Sequence, residues 1–229
     1  RYGDFFGGTI DPVEGGLWVA VEYAAPRQNS APRWGTWISY FPWVTAGQFT
    51  DVSSSSPLAD FVNVMKYWGI TGGCTATTYC PGDKVTRGQM AAFLVRALLG
   101  SETFTAPTTP YFTDVPATHP FFRYIQKLRE LGVTSGCTAT TYCPNGEVTR
   151  GEVAALLIRA KMGTLIGENY GFPTTAYFTD VPPSHPFFRF VQKMRELGVT
   201  SGCTATTFCV NDPMTREQMA ALVARAFLN

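Results

Sequence analysis

The octapeptide Gly-Cys-Thr-Ala-Thr-Thr-Tyr-Cys fills residues 73–80, recurs at 136–143, and returns at 202–209 with Phe208 in place of tyrosine. Self-similarity of this kind constrains a fold severely, because each copy builds the same small unit and neighbouring copies bury each other's apolar faces. The repeat is longer than the loop. Phe-Thr-Asp-Val precedes it, beginning at Phe49, Phe112 and Phe178, and Thr-Arg follows in fixed register at Thr86, Thr149 and Thr215. Each unit is a module of roughly fifty residues, and Thr/Pro/Gly-rich connectors over residues 100–110 and 162–175 separate the modules. The expected organisation is a segment 1–46 followed by units at 47–100, 110–162 and 176–229.

Inside the second unit, Pro120 stands where a first helical residue would, after Thr118 and His119. Phe121, Ile125 and Leu128 then recur at helical spacing, with Arg123, Gln126, Lys127 and Arg129 between them. Gly132 ends that helix. The third unit repeats the pattern through Phe187, Val191 and Met194 to Gly198, whereas the first, over residues 57–69, diverges and carries Tyr67 and Trp68. A second helix opens in each unit on a capping box, formed by Thr86 with Gln89, Thr149 with Glu152 and Thr215 with Gln218. The runs that follow, residues 90–99, 153–160 and 219–227, are apolar around most of the helix, which places these helices centrally.

A formal net charge of +1, with no basic tract, excludes nucleic-acid recognition. Arg96, Arg159 and Arg225 interrupt the best apolar stretches, so no membrane span is expected. The composition suits a secreted, largely globular chain with enough apolar residues for a core. It begins at Arg1 without Met or a signal sequence, as expected of a processed product, an excised segment or the tail of something larger.

The six cysteines come two to a unit, always with the same spacing. Local bridges Cys74 to Cys80, Cys137 to Cys143 and Cys203 to Cys209 would each stabilise by about 2 kcal/mol on the chain-entropy estimate for so short a loop. They would pin the turn between the two helices and imply an oxidising compartment. A zinc site is the competing reading. It is disfavoured because thiolate sites use closely paired ligands and both histidines sit outside the loops, so neither a metal nor any other cofactor is expected.

These elements, in this order, resemble the S-layer homology domain family: Phe-Thr-Asp-Val, a helix ending in Leu-Gly-Val-Thr-Ser-Gly, a loop with Cys-Pro, and Val-Thr-Arg-Gly-Glu opening an apolar helix. The resemblance implies a mainly α-helical, pseudo-threefold spindle of three helix-loop-helix units, α+β once the N-terminal segment is counted. It also implies that grooves between repeats bind anionic cell-wall polysaccharide. Two departures from the family pattern stand out. The residues after Thr-Arg are Gly-Gln, Gly-Glu and Glu-Gln where the family usually has Ala-Glu, and Phe121-Phe122 and Phe187-Phe188 stand where it commonly has tryptophan.

Arg87, Arg150 and Arg216 fall at the first turn of a helix, where the dipole disfavours a cation by a few tenths of a kcal/mol or more. A repeated cation there suggests a compensating role. Free helix amides plus a guanidinium fork would suit a carboxylate, a phosphate or a pyruvyl-type acid. Alternatively, each arginine pairs with a carboxylate of a neighbouring unit, for instance Asp51, Asp114 or Asp180. The resemblance implies the ligand role, with the three aspartates as further candidates; as plain turn residues they would satisfy backbone amides. His119 and His185 precede the helix-starting prolines, as Ser56 does in the first unit, and read as caps. No catalytic constellation, phosphate loop or nucleophile elbow is present, so no enzymatic activity is expected.

Residues 1–46 differ in kind, holding ten aromatics and four of the five tryptophans. Alternation over residues 17–23 reads as β-strand, turning over residues 26–32 and returning through 34–43. The segment also weakly resembles the last blade of a secreted bacterial β-propeller. The sequence therefore points to a non-catalytic bacterial surface protein, held non-covalently on the cell wall by polysaccharide. The alternative is a structural subunit that associates with identical copies into a layer, tube or filament through the β segment.

Overall fold

The computed structural model describes residues 6–10, 17–28, 31–41, 48–163 and 170–228. It divides into two units, residues 1–45 and residues 46–229. The first contains an antiparallel sheet, ordered β1-β2-β3, of strands β1 (Phe6–Ile10), β2 (Leu17–Gln28) and β3 (Ala31–Phe41). The β2–β3 ladder runs into the range expected to turn, residues 26–32, and pairs Gln28 with Ala31 after a register shift that begins at Ala25. Pro26 explains the shift, since a proline has no amide to give to the ladder. Residues 1–5, 11–16, 29–30, 42–47, 164–169 and 229 lie outside the described residues, the centre of the expected turn among them. Part of the propeller resemblance, Trp43 and part of the second connector fall there.

The second unit is helical: α1 (Ala59–Tyr67), α2 (Arg87–Leu99), α3 (Phe122–Glu130), α4 (Arg150–Met162), α5 (Phe188–Glu196) and α6 (Arg216–Phe227). The first helix of each repeat begins two residues after the predicted proline. Before α3, the His119 amide donates to Pro116 O at 2.8 Å and the Phe122 amide to His119 O at 2.9 Å, which makes a separate turn. His119 Nδ1 accepts the Phe121 amide at 3.2 Å, and His185 accepts that of Phe187 at the same distance. The Ser56 hydroxyl takes the Leu58 amide at 3.3 Å in the first repeat, so all three residues cap a turn. At the other end Gly132 has a φ of 67°, and its amide returns to Arg129 O at 2.9 Å.

All three capping boxes form, with both reciprocal hydrogen bonds, at Thr86, Thr149 and Thr215. The helices they start are buried on nearly every side: Met90, Leu94, Val153, Leu157, Met219 and Val223 are inaccessible to solvent. α2, α4 and α6 pack on one another in the centre.

The two helices of one repeat do not pack as a hairpin. Instead α2 packs on α3, α4 on α5, and α6 returns to α1, so each repeat lends its second helix to the next and the last closes on the first. Backbone hydrogen bonds repeat this cycle just before the central helices. The Val85 amide donates to Met214 O at 2.9 Å, Met214 to Val148 O at 3.0 Å, and Val148 to Val85 O at 2.9 Å. No single repeat can bury its apolar surface without the other two.

Candidate functional site at the repeat junctions

The cysteine loops supply one wall of each junction. Disulfides join Cys74 to Cys80, Cys137 to Cys143 and Cys203 to Cys209. The second cysteine of each pair is left-handed, with φ of 57°, 58° and 57°. Asp51, Asp114 and Asp180 hold this shape by aiming both carboxylate oxygens at the loop backbone. Asp51 accepts the Tyr79 and Cys80 amides at 2.7 Å each, and Asp114 accepts those of Tyr142 and Cys143 at 2.8 and 2.7 Å. Asp180 does the same for Phe208 and Cys209 at 2.8 and 2.6 Å.

The aromatic residue held in this way is the residue that sequence reasoning passed over. Tyr79, Tyr142 and Phe208 are wholly buried, each against the phenylalanine of its own Phe-Thr-Asp-Val. The only hint in the sequence was an aromatic at the same place in three hydroxyl-rich loops. Onto the other face of each ring comes the arginine of the preceding repeat. Arg87 lies 5.0 Å from the Tyr142 ring centre, Arg150 4.8 Å from Phe208, and Arg216 4.7 Å from Tyr79. Each Nε donates to the backbone carbonyl of that same aromatic, at 2.9, 2.7 and 2.7 Å respectively. Both tyrosine hydroxyls answer by donating to the arginine's own carbonyl, Tyr142 to Arg87 at 3.0 Å and Tyr79 to Arg216 at 2.7 Å. Burial pushes both hydroxyls above the ordinary phenol range.

The arginines thus clasp neighbouring repeats, with exposures of 7% for Arg87, 7% for Arg150 and 4% for Arg216. The helix-start amides expected to be free are committed. Arg87 and Gly88 donate to Gly146 O and Pro144 O, Arg150 and Gly151 to Asp212 O and Val210 O, and Arg216 and Glu217 to Asp83 O and Pro81 O. Neighbouring loops therefore satisfy the orphan donors and soften the dipole penalty on a cation. The aspartates offered as ion-pair partners are occupied by amides, and the carboxylate that reaches Arg87 belongs to Glu152, at 3.1 Å.

At the first junction these residues line a groove of about 230 Å³, walled by Arg87, Thr134, Gly136, Cys137, Glu152 and Phe187. It combines a cation, backbone, a carboxylate and an aromatic ring, a mixture suited to a polar ligand with an acidic substituent. A larger depression of about 460 Å³ lies at the other ends of α2 and α4, lined by Leu98, Leu99, Leu131, Val133 and Ala160 among others.

The departures from the family pattern have a steric cause. A Cβ on Gly88 would meet the Phe121 ring, and one on Gly151 would meet the Phe187 ring. At the third junction the corresponding cap residue is Leu58, the helix carries Glu217 in place of glycine, and the Ser56 hydroxyl lies 3.5 Å from its carboxylate. Glycine appears where a phenylalanine must fit.

The loop carboxylates also set an acid limit on the fold. Burial opposes the charge on Asp51 and Asp180, but the loop amides outweigh it and hold both below the ordinary range. Burial likewise opposes the charge on Glu102, and its hydrogen bonds from Tyr124 and Arg96 outweigh that. A carboxylate with a lowered folded pKa contributes stability that is complete above the unfolded value of about 4 and is lost as pH falls through the folded value. The melting temperature is accordingly expected to hold between about pH 5 and 8 and to fall below about pH 4. Thermal melts across that range check this, and a flat profile down to pH 2 would refute it.

Comparison with known proteins adds a third line to sequence and geometry. The S-layer homology domain model matches residues 48–91, 111–154 and 177–220. The chain is 33% identical over 116 residues to an endoglucanase of Bacillus sp. (strain KSM-635), covering 51% of this chain and 12% of that protein. It is 25% identical over 200 residues to the surface-layer 125 kDa protein of Lysinibacillus sphaericus, covering 81% and 16%. With the S-layer protein of Bacillus thuringiensis subsp. finitimus the identity is 26% over 186 residues, covering 80% and 22%. The chain thus spans between an eighth and a quarter of these relatives' length.

Proposed function

The chain belongs to the S-layer homology domain family and acts at the extracellular cell surface or cell wall, and on that premise we propose that its three repeats anchor it non-covalently to acidic cell-wall polysaccharide. The observation that carries this reading is the guanidinium buried at every repeat junction, on the wall of a polar groove at the first. A fork of that kind recognises a carboxylate or phosphate with directionality, and a fixed groove supplies the sugar contacts. The array itself is non-catalytic in this reading. Relatives named as an endoglucanase and as S-layer proteins share this region, as expected of an attachment module carried by unlike proteins.

Sedimentation of the full chain with purified bacterial walls tests the reading, before and after chemical removal of the non-peptidoglycan polysaccharide. Binding should disappear with the polysaccharide. Equal binding to bare peptidoglycan would overturn it.

A second reading, association with identical subunits, draws on the sheet. β1 and β3 each pair on one side only among the described residues, and an unpaired edge as long as β3 can accept a strand from another copy. The two readings are compatible.

A further inference from the structure

Away from the junctions, the repeats differ in three residues at once. The second carries Tyr111, Gln126 and Arg129 and the third Tyr177, Gln192 and Arg195, where the first has Gln48, Asn63 and Lys66. Gln126 and Gln192 are wholly buried, and each spends its carboxamide on the connector that enters its repeat. Gln126 Nε2 donates to Thr109 O at 2.6 Å while its Oε1 accepts the Tyr111 amide at 3.2 Å. Gln192 repeats this with Thr175 O at 2.6 Å and the Tyr177 amide at 3.1 Å. A buried amide bonded at both ends thus fixes the backbone of an aromatic residue that stays exposed, by 47% at Tyr111 and 46% at Tyr177. Beside each ring lies an exposed guanidinium, Arg129 and Arg195 respectively, 6.0 Å from the ring centre. Neither forms an ion pair among the described residues. Glu130 and Glu196, the adjoining carboxylates, are spent on Lys127 and Lys193 at 2.8 Å each. The first repeat lacks the arrangement. Asn63 is one methylene shorter and its buried Oδ1 has no partner among the described residues, and the Lys66 ammonium rests over the buried Phe49 ring.

We propose that Tyr111 with Arg129, and Tyr177 with Arg195, form two sites for an acidic pyranose, so that the second and third repeats hold sugars outside the junctions and the first does not. This rests on the polysaccharide reading above and adds contacts for the same polymer. A pyranose presents an apolar C–H face that covers the exposed tyrosine, and a carboxylate on the same sugar reaches the guanidinium. The tyrosine backbone is already fixed by its glutamine, so little ordering opposes binding. Arg129 Nη1 also donates to Thr134 O at 3.4 Å, and Thr134 is a wall of the first-junction groove, which sets the Tyr111 site beside that groove.

The first repeat is an internal control. Side-chain resonances of the full, isotope-labelled chain can be followed by NMR during titration with glucuronate, and with glucose as the neutral counterpart. The Arg129 and Arg195 Nε–Hε signals and the Tyr111 and Tyr177 rings should shift together and saturate with glucuronate, while Lys66 and Gln48 stay still and glucose gives no saturating shift. Tyr111→Ser combined with Tyr177→Ser removes two exposed rings and should leave the melting temperature unchanged. It should weaken sedimentation with polysaccharide-bearing walls by about tenfold, the scale of two exposed cation–aromatic sites, and Arg129→Gln with Arg195→Gln should do the same. Equal shifts at Lys66 and at the two arginines would make glucuronate a diffuse counter-ion and overturn the inference. If the double tyrosine variant sediments as wild type does, the inference fails while the anchoring reading stands. If the wild-type chain does not sediment with those walls, the anchoring reading falls and takes the inference with it.

Discussion

Replacing Gly136 with alanine should cost about 4 kcal/mol, with two causes of similar size. The residue lies at φ +98°, a region that a side chain occupies only under strain, and an added Cβ would sit 2.5 Å from both Thr138 O and Thr141 O and 2.7 Å from Phe112 Cε1. The oxygens cannot move aside. Both belong to the backbone of the disulfide-closed loop, where the Thr141 carbonyl receives the Cys137 amide at 2.9 Å. The phenylalanine is equally fixed, since it packs on Tyr142 at 5.4 Å. For a unit of this size the melting temperature should drop by about 10 °C. A shift under about 2 °C would mean that the loop can open at no cost, contrary to its geometry. Gly198→Ala provides the contrast: its φ is 70° and an added Cβ would meet nothing within 4 Å, so strain alone should appear there.

The second large effect is expected at Tyr142. Truncation to alanine removes a ring with no solvent exposure, packed on one side by Phe112 and on the other by Arg87, and should cost about 4 kcal/mol. Arg87 would then keep its hydrogen bond to the Tyr142 carbonyl, which is backbone, but would lose the ring beneath its charge. Tyr142→Phe isolates the hydroxyl. It forfeits only the bond to the Arg87 carbonyl and should cost about 1 kcal/mol. The third repeat already makes this change, with Phe208 beneath Arg150. Denaturant unfolding of both variants gives the two numbers. An alanine variant within 1 kcal/mol of wild type would show that the junction is not held by this residue.

These positions also mark how far the sequence could be read. Repeat number, capping boxes, disulfide pairing and the central place of α2, α4 and α6 were all legible, because each depends on residues close together in the chain or on the polarity of one helix. The starts of the first helices were misjudged by two residues, since the proline signal does not reveal that His119 and His185 close a prior turn. The role of the arginines was only half legible. Their type and spacing pointed to an anion, but Arg87 meets Tyr142 across 55 residues and Arg216 meets Tyr79 across 137. Nothing local encodes which aromatic lies beneath which guanidinium.

The sequence by itself determined what each unit is. Its repeats, its caps and its short cysteine loops are local interactions, and local interactions leave their mark as spacing. Only the tertiary structure decided how the units join, pairing each second helix with the next repeat's first and closing α6 on α1. That cyclic exchange commits the helix-start amides to neighbouring carbonyls, lays each arginine on a neighbouring ring, and sets Glu152 but neither Gln89 nor Gln218 to meet a guanidinium. The physical reason is that three near-identical units carry no local preference between packing on themselves and packing on each other. The choice is made by the apolar surface that only the closed ring of three can bury.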